Sequence, residues 1–77
     1  MMLEEVFHLC LVFQTRKKTP YTIIIRHPKM GLPAPIIRQV METIVRLGMF
    51  QTPDGPLMSV HNAYYIRTKG YPVRIYL

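Results

Sequence analysis

Three histidines, one cysteine and four carboxylates are the residues of this 77-residue sequence whose types could carry chemistry, and their spacing limits what they can do. His8 and Cys10 stand two apart, so on an extended segment they share a face, and His27 and His61 are the remaining imidazoles that could join them around a metal. A zinc site gathers about four ligands, and neither a C-x₂-C nor an H-x₃-H spacing occurs. No metal and no cofactor is expected. Cys10 with a histidine nearby also suggests a nucleophile and its base, but a thiolate among Leu9, Leu11, Val12 and Phe13 would be disfavoured by desolvation. The acids Glu4, Glu5, Glu42 and Asp54 are scattered. Asp54 in PDGP reads as turn chemistry, and Glu42 lies four residues from both Arg38 and Arg46, as in an ion-pair ladder on a helix surface. Nucleophile, base and stabiliser cannot be named together, so the reading is non-enzymatic, with no catalytic residue and no small-molecule substrate.

The cations offer a second chemistry. Ten Lys and Arg against four Asp and Glu give a formal charge of +6, which favours anionic partners such as nucleic acid. Arg16, Lys17 and Lys18 form one run, Lys29 stands alone, and Arg67, Lys69 and Arg74 surround a later turn, with Tyr65 and neighbouring tyrosines as stacking groups. No helix-turn-helix, zinc-finger, RNA-recognition or glycine-rich phosphate motif accompanies them. Nucleic-acid binding through Arg16, Lys17, Lys18, Lys29, Arg67, Lys69, Arg74 and Tyr65 is therefore the alternative reading rather than the first.

The elements that must position these groups follow from periodicity. Val6 to Gln14 alternates, with Phe7, Leu9, Leu11 and Phe13 on one face and Val6, His8, Cys10 and Val12 on the other. TRKKT at 15–19 is a polar connection, and Tyr21 to Arg26, rich in β-branched residues, completes an antiparallel hairpin over 6–26. HPKMGLPAP at 27–35 can continue neither element. From Pro35 to Gly48 the apolar residues recur at helical spacing: Ile36, Ile37, Val40, Met41, Ile44, Val45 and Leu47 fill one half of the wheel. Proline sets the start, and Gly48 suits a left-handed stop. Residues 50–77 then carry short extended runs, Phe50 to Thr52, Leu57 to Val60, Asn62 to Thr68 and Tyr71 to Leu77, separated by turns. The expected fold is a single α+β domain over 1–77, a small antiparallel sheet of three to five strands with one helix on one face. Ile37, Val40, Met41, Ile44 and Leu47 are the expected helix contribution to the core.

Read in this order, the chain resembles a family of small bacterial proteins, domain of unknown function 2922. The shared pattern runs through LCLVFQT at 9–15, TIII and HPK within 22–29, Leu32, VMETIV at 40–45, Phe50-Gln51-Thr52, Gly55-Pro56-Leu57, Ser59-Val60 and Ala63. Pro33 stands where the family places a capping threonine. The resemblance implies the strand–strand–helix–strand order and no activity, cofactor or catalytic residue.

A domain this small buries only roughly 60–65% of the surface its unfolded chain exposes and usually needs reinforcement. One cysteine rules out an intrachain disulfide, yet 49% of the residues are hydrophobic. No run approaches the roughly 18 apolar residues of a membrane span, and Glu4 and Glu5 stand where a signal peptide carries cations, so a cytoplasmic location is the default expectation. One helix covers one side of a sheet. The expectation is therefore self-association, as a homo-oligomer or filament, through the second sheet face or an edge strand, with Val6, Cys10, Val12, Ile24, Val73 and Ile75 as candidate contacts.

Overall fold

The computed structural model describes the backbone of residues 6–69 and 71–76 and the side chains of residues 6–67. The order is β1 (Val6–Thr15), β2 (Pro20–Arg26), α1 (Ala34–Leu47), β3 (Gln51–Thr52), β4 (Gly55–Lys69) and β5 (Tyr71–Tyr76). This is the α+β fold expected, a small antiparallel sheet with one helix packed on it. The strands lie β2-β1-β4-β3, and β5 also pairs with β4. Because β1 occupies one edge of β4 from Leu57 to Thr68, β3 and β5 take the other, β3 against Pro56 and Gly55 and β5 against Tyr64 to Lys69. β2 is left as a strand paired on one side only.

Leu57–Val60 and Asn62–Thr68, read from the sequence as separate runs, are one long strand. Val12 pairs with Asn62 but Phe13 with Val60, so His61 is an extra residue, and Met58 is skipped in the same way between Gln14 and Thr15. Each bulge reverses the parity of alternation along β4. The two reversals cancel, so Leu57 shares the core face with Ala63 and Tyr65, while Val60 between the bulges packs against the core out of phase with them.

The core is built from Leu9, Leu11 and Phe13 of β1 against Ile37 and Met41 of α1, closed by Leu57, Ala63 and Tyr65. α1 begins without a side-chain cap: Pro33 holds the N-cap position, Pro35 stands in the first turn, and the Pro33 carbonyl accepts from Ile36 and Ile37 N–H. It ends at Gly48, whose φ of 62° is the left-handed conformation expected and whose N–H donates to Val45. The five helix positions expected in the core divide. Ile37 and Met41 are buried and Ile44 is half-buried, whereas Val40 and Leu47 are 50% and 59% exposed. The cause is the placement of the helix, which packs chiefly on β4, with Ile37 and Met41 above the small Ala63. That turns only part of its apolar arc toward the sheet.

At one end of the sheet the two turns are tied together. Thr15 Oγ1 accepts from the Thr19 N–H and lies 2.7 Å from Thr19 Oγ1, which donates to Asp54 Oδ2 at 2.6 Å. Asp54 N–H in turn donates to Thr52 Oγ1, and Arg16 N–H to the Pro56 carbonyl. Asp54 is thus more than a local turn residue. It joins the β1–β2 hairpin tip to the β3–β4 turn.

Candidate self-association surface

On the side of the sheet away from α1, the expected contact face is largely closed within one chain. Cys10 is 1% exposed and Val12 8%, each flanked on both sides, Cys10 by Ile24 and Tyr64 and Val12 by Thr22 and Asn62. Small side chains in the central strand of three are shielded by their neighbours, so these two offer little to a partner. Val6 is half-buried, and Ile24 on the outer strand is 60% exposed. Val73 and Ile75 lie in β5, whose pairing is described and whose side chains fall outside the described part.

Among the described residues, most exposed large apolar side chains lie on the helix side, where the sequence reading expected a core. About 100° per residue puts Ile36, Val40 and Leu47 in one stripe and Ile37, Met41 and Val45 roughly a third of a turn away. The second stripe meets the sheet. The first looks along the sheet toward β2, where Ile36 and Val40 face Ile25 across a cleft of about 120 Å³ floored by Leu9, Leu11 and Leu32. Tyr21, Met30 and Met49 are also exposed. The sequence carried a signal for this surface: an apolar arc spanning half the wheel is wider than contact with one sheet strand consumes.

β2 supplies polar groups beside that surface. His27 N–H donates to Phe7 and Thr15 N–H to Thr19, so the odd-numbered residues of β2 exchange hydrogen bonds with β1. Alternation then turns the backbone groups of Pro20, Thr22, Ile24 and Arg26 outward, where they have no partner among the described residues. Every residue of β2 except Ile23 is exposed.

The hairpin-tip cations stand apart from the rest: Arg67 is paired beside the β5 segment that holds Arg74, and the Lys29 backbone is tied to Tyr65 near that end. Arg16, Lys17 and Lys18 are exposed at the hairpin tip, while Arg67 lies opposite Phe7, nine residues before Arg16, about 30 Å away at 3.3 Å per residue. Tyr65, expected as a stacking group, is 3% exposed and donates its hydroxyl to the Lys29 carbonyl at 2.9 Å. It anchors the loop before α1 and has no free ring face. The side chains of Lys69 and Arg74 fall outside the described part. His8, Cys10, His27 and His61 are not gathered: among the described residues no group of three or more His, Cys, Asp or Glu could hold a metal ion. Nor, among them, is any helix long and apolar enough to cross a membrane.

Comparison with known families places residues 8–73 in the family described as "Protein of unknown function (DUF2922)". Neither the curated proteins nor the solved structures yield a match.

Proposed function

The chain belongs to that family, whose description assigns no activity, and on this premise we propose that it is a small non-enzymatic protein that works by associating with itself. One observation carries the reading: the outward apolar stripe of α1, Ile36 and Val40, continues across a cleft to Ile25 on a strand whose outer edge is unpaired. Contiguous exposed apolar surface beside an open strand edge is the usual mark of a protein interface. The distance between the hairpin-tip cations and Arg67, and the burial of Tyr65, leave nucleic-acid binding with less support.

Light scattering across a concentration series tests the reading. The expected mass rises above that of one chain, 9.1 kDa, as concentration increases. A mass that stays at one chain up to about 1 mM, the limit of weak but specific association, would overturn it.

A further inference from the structure

We infer that two copies of this chain join through β2, antiparallel about a two-fold axis at Ile23, into one continuous sheet; the inference rests on the self-association proposed above and specifies its geometry. The edge itself points to another β2 as the occupant. Exposed strand edges are normally blunted by bulges, inward charges or mid-strand proline. β2 has none of these: its register with β1 runs unbroken from Pro20 to Arg26, its centre is Thr22-Ile23-Ile24-Ile25, and proline and arginine stand only at its ends. A charged partner would find little to pair with along this centre.

Self-pairing matches every group. With the axis at Ile23 all seven residues overlap, and Thr22 of one copy exchanges hydrogen bonds with Ile24 of the other. Arg26 N–H meets the carbonyl of Pro20, which lacks an N–H to return and sits at the edge position where proline is tolerated. All three outward N–H groups of each chain are thereby satisfied. On the helix side Tyr21 of one copy stands beside Ile25 of the other, and Ile23 beside Ile23, the apolar pairs that stabilise antiparallel ladders. The two Arg26 side chains lie at opposite ends of the joined strands. The same edge is used by both copies, so the contact is isologous and closes on itself as a dimer. β2 and the flanking Met30, Ile36 and Val40 amount to about ten residues, fewer than the roughly 20–30 of a standard interface, which places the dimer at the weak, reversible end.

Mixed cysteine variants test the register. Tyr21 and Ile25 of opposite copies form a non-hydrogen-bonded pair with Cα atoms about 4.5 Å apart, within disulfide reach, whereas each residue is about 13 Å along the strand from its own copy. Under mild oxidation at high concentration, an equimolar mixture of Tyr21→Cys and Ile25→Cys chains is expected to give a disulfide-linked heterodimer, and each variant alone is not. Both positions are partly exposed, so folding is retained, and wild type with its buried Cys10 is the blank. Ile24→Pro removes an outward N–H that β1 does not use, and should raise the dissociation constant at least tenfold while leaving the monomer folded. A mass that rises with concentration together with no mixed cross-link and an unaffected Ile24→Pro variant would overturn this geometry and leave self-association standing. A mass that never rises overturns both.

Discussion

Met41 and Val40 are adjacent on α1, both apolar, and separated in the structure by what they touch. Met41 is 1% exposed and sits in the core with Ile37 and Ala63, while half of Val40 meets solvent. Met41→Ala deletes a fully buried side chain and leaves a cavity, at a cost of about 2–5 kcal/mol. Val40→Ala removes two methyl groups that are half out of water already, a cost of about 0.8 kcal/mol at 0.8 kcal/mol per buried carbon. For a domain of this size, with total stability of about 4–12 kcal/mol, the first change is a large fraction of the whole and the second is not. Thermal unfolding measured by circular dichroism at low micromolar concentration, where association is minimal, should show Met41→Ala melting about 10–30 °C below wild type and Val40→Ala within about 3–7 °C. At high concentration the Val40 variant should fall further behind, because wild type gains more stability from association that Val40 flanks. Equal losses for the two variants in dilute solution would refute the placement of the helix, and with it the exposed stripe.

Three further outcomes follow from particular contacts. Asp54→Ala removes the acceptor of the Thr19 hydroxyl and unties the two turns, and should cost about 1.5–3 kcal/mol in denaturant unfolding. Gly55→Ala meets Arg16 Cβ at 3.1 Å in a backbone with φ of +95°, so a loss of about 1–3 kcal/mol is expected, visible as a lowered denaturation midpoint. Raising salt from about 0.05 to 0.5 M should strengthen self-association, because it screens the repulsion of two chains each carrying +6 while leaving apolar contact intact. Salt that instead abolished an association with labelled nucleic acid would reveal counterion release and favour the other reading.

The hairpin, the helix and its glycine stop were legible in the sequence because each rests on local rules: alternation in Leu9, Leu11 and Phe13, helical spacing in Ile37 and Met41, and a left-handed residue at Gly48. The unity of β4 was not. Bulges at His61 and Met58 are set by pairing with β1, and they bring Val60 to the core face out of phase with Leu57, Ala63 and Tyr65, which breaks the alternation when β4 is read alone. Helix rotation was hidden for a similar reason. An apolar arc from Ile36 to Val45 shows that a helix packs but not which third of the arc faces the sheet, a choice made by where small Ala63 lets it approach. The candidate contacts moved accordingly. One helix cannot cover two faces, which makes Cys10 and Val12 candidate contacts in the sequence, whereas small residues on a central strand are covered by their own sheet neighbours. Tyr65 was read as a recognition group, and a hydroxyl bond to the distant Lys29 carbonyl, which no local pattern announces, makes it structural.

Hydrogen exchange at individual amides of β2 tests the central claim most directly, because the alternation of its backbone separates the groups that β1 pairs from those that face outward. Ile23 and Ile25 N–H should be protected at every protein concentration. Thr22, Ile24 and Arg26 N–H should exchange freely in dilute solution and become protected together as concentration rises. Free exchange at those three amides in samples whose measured mass has doubled would contradict the account and place the contact elsewhere on the molecule.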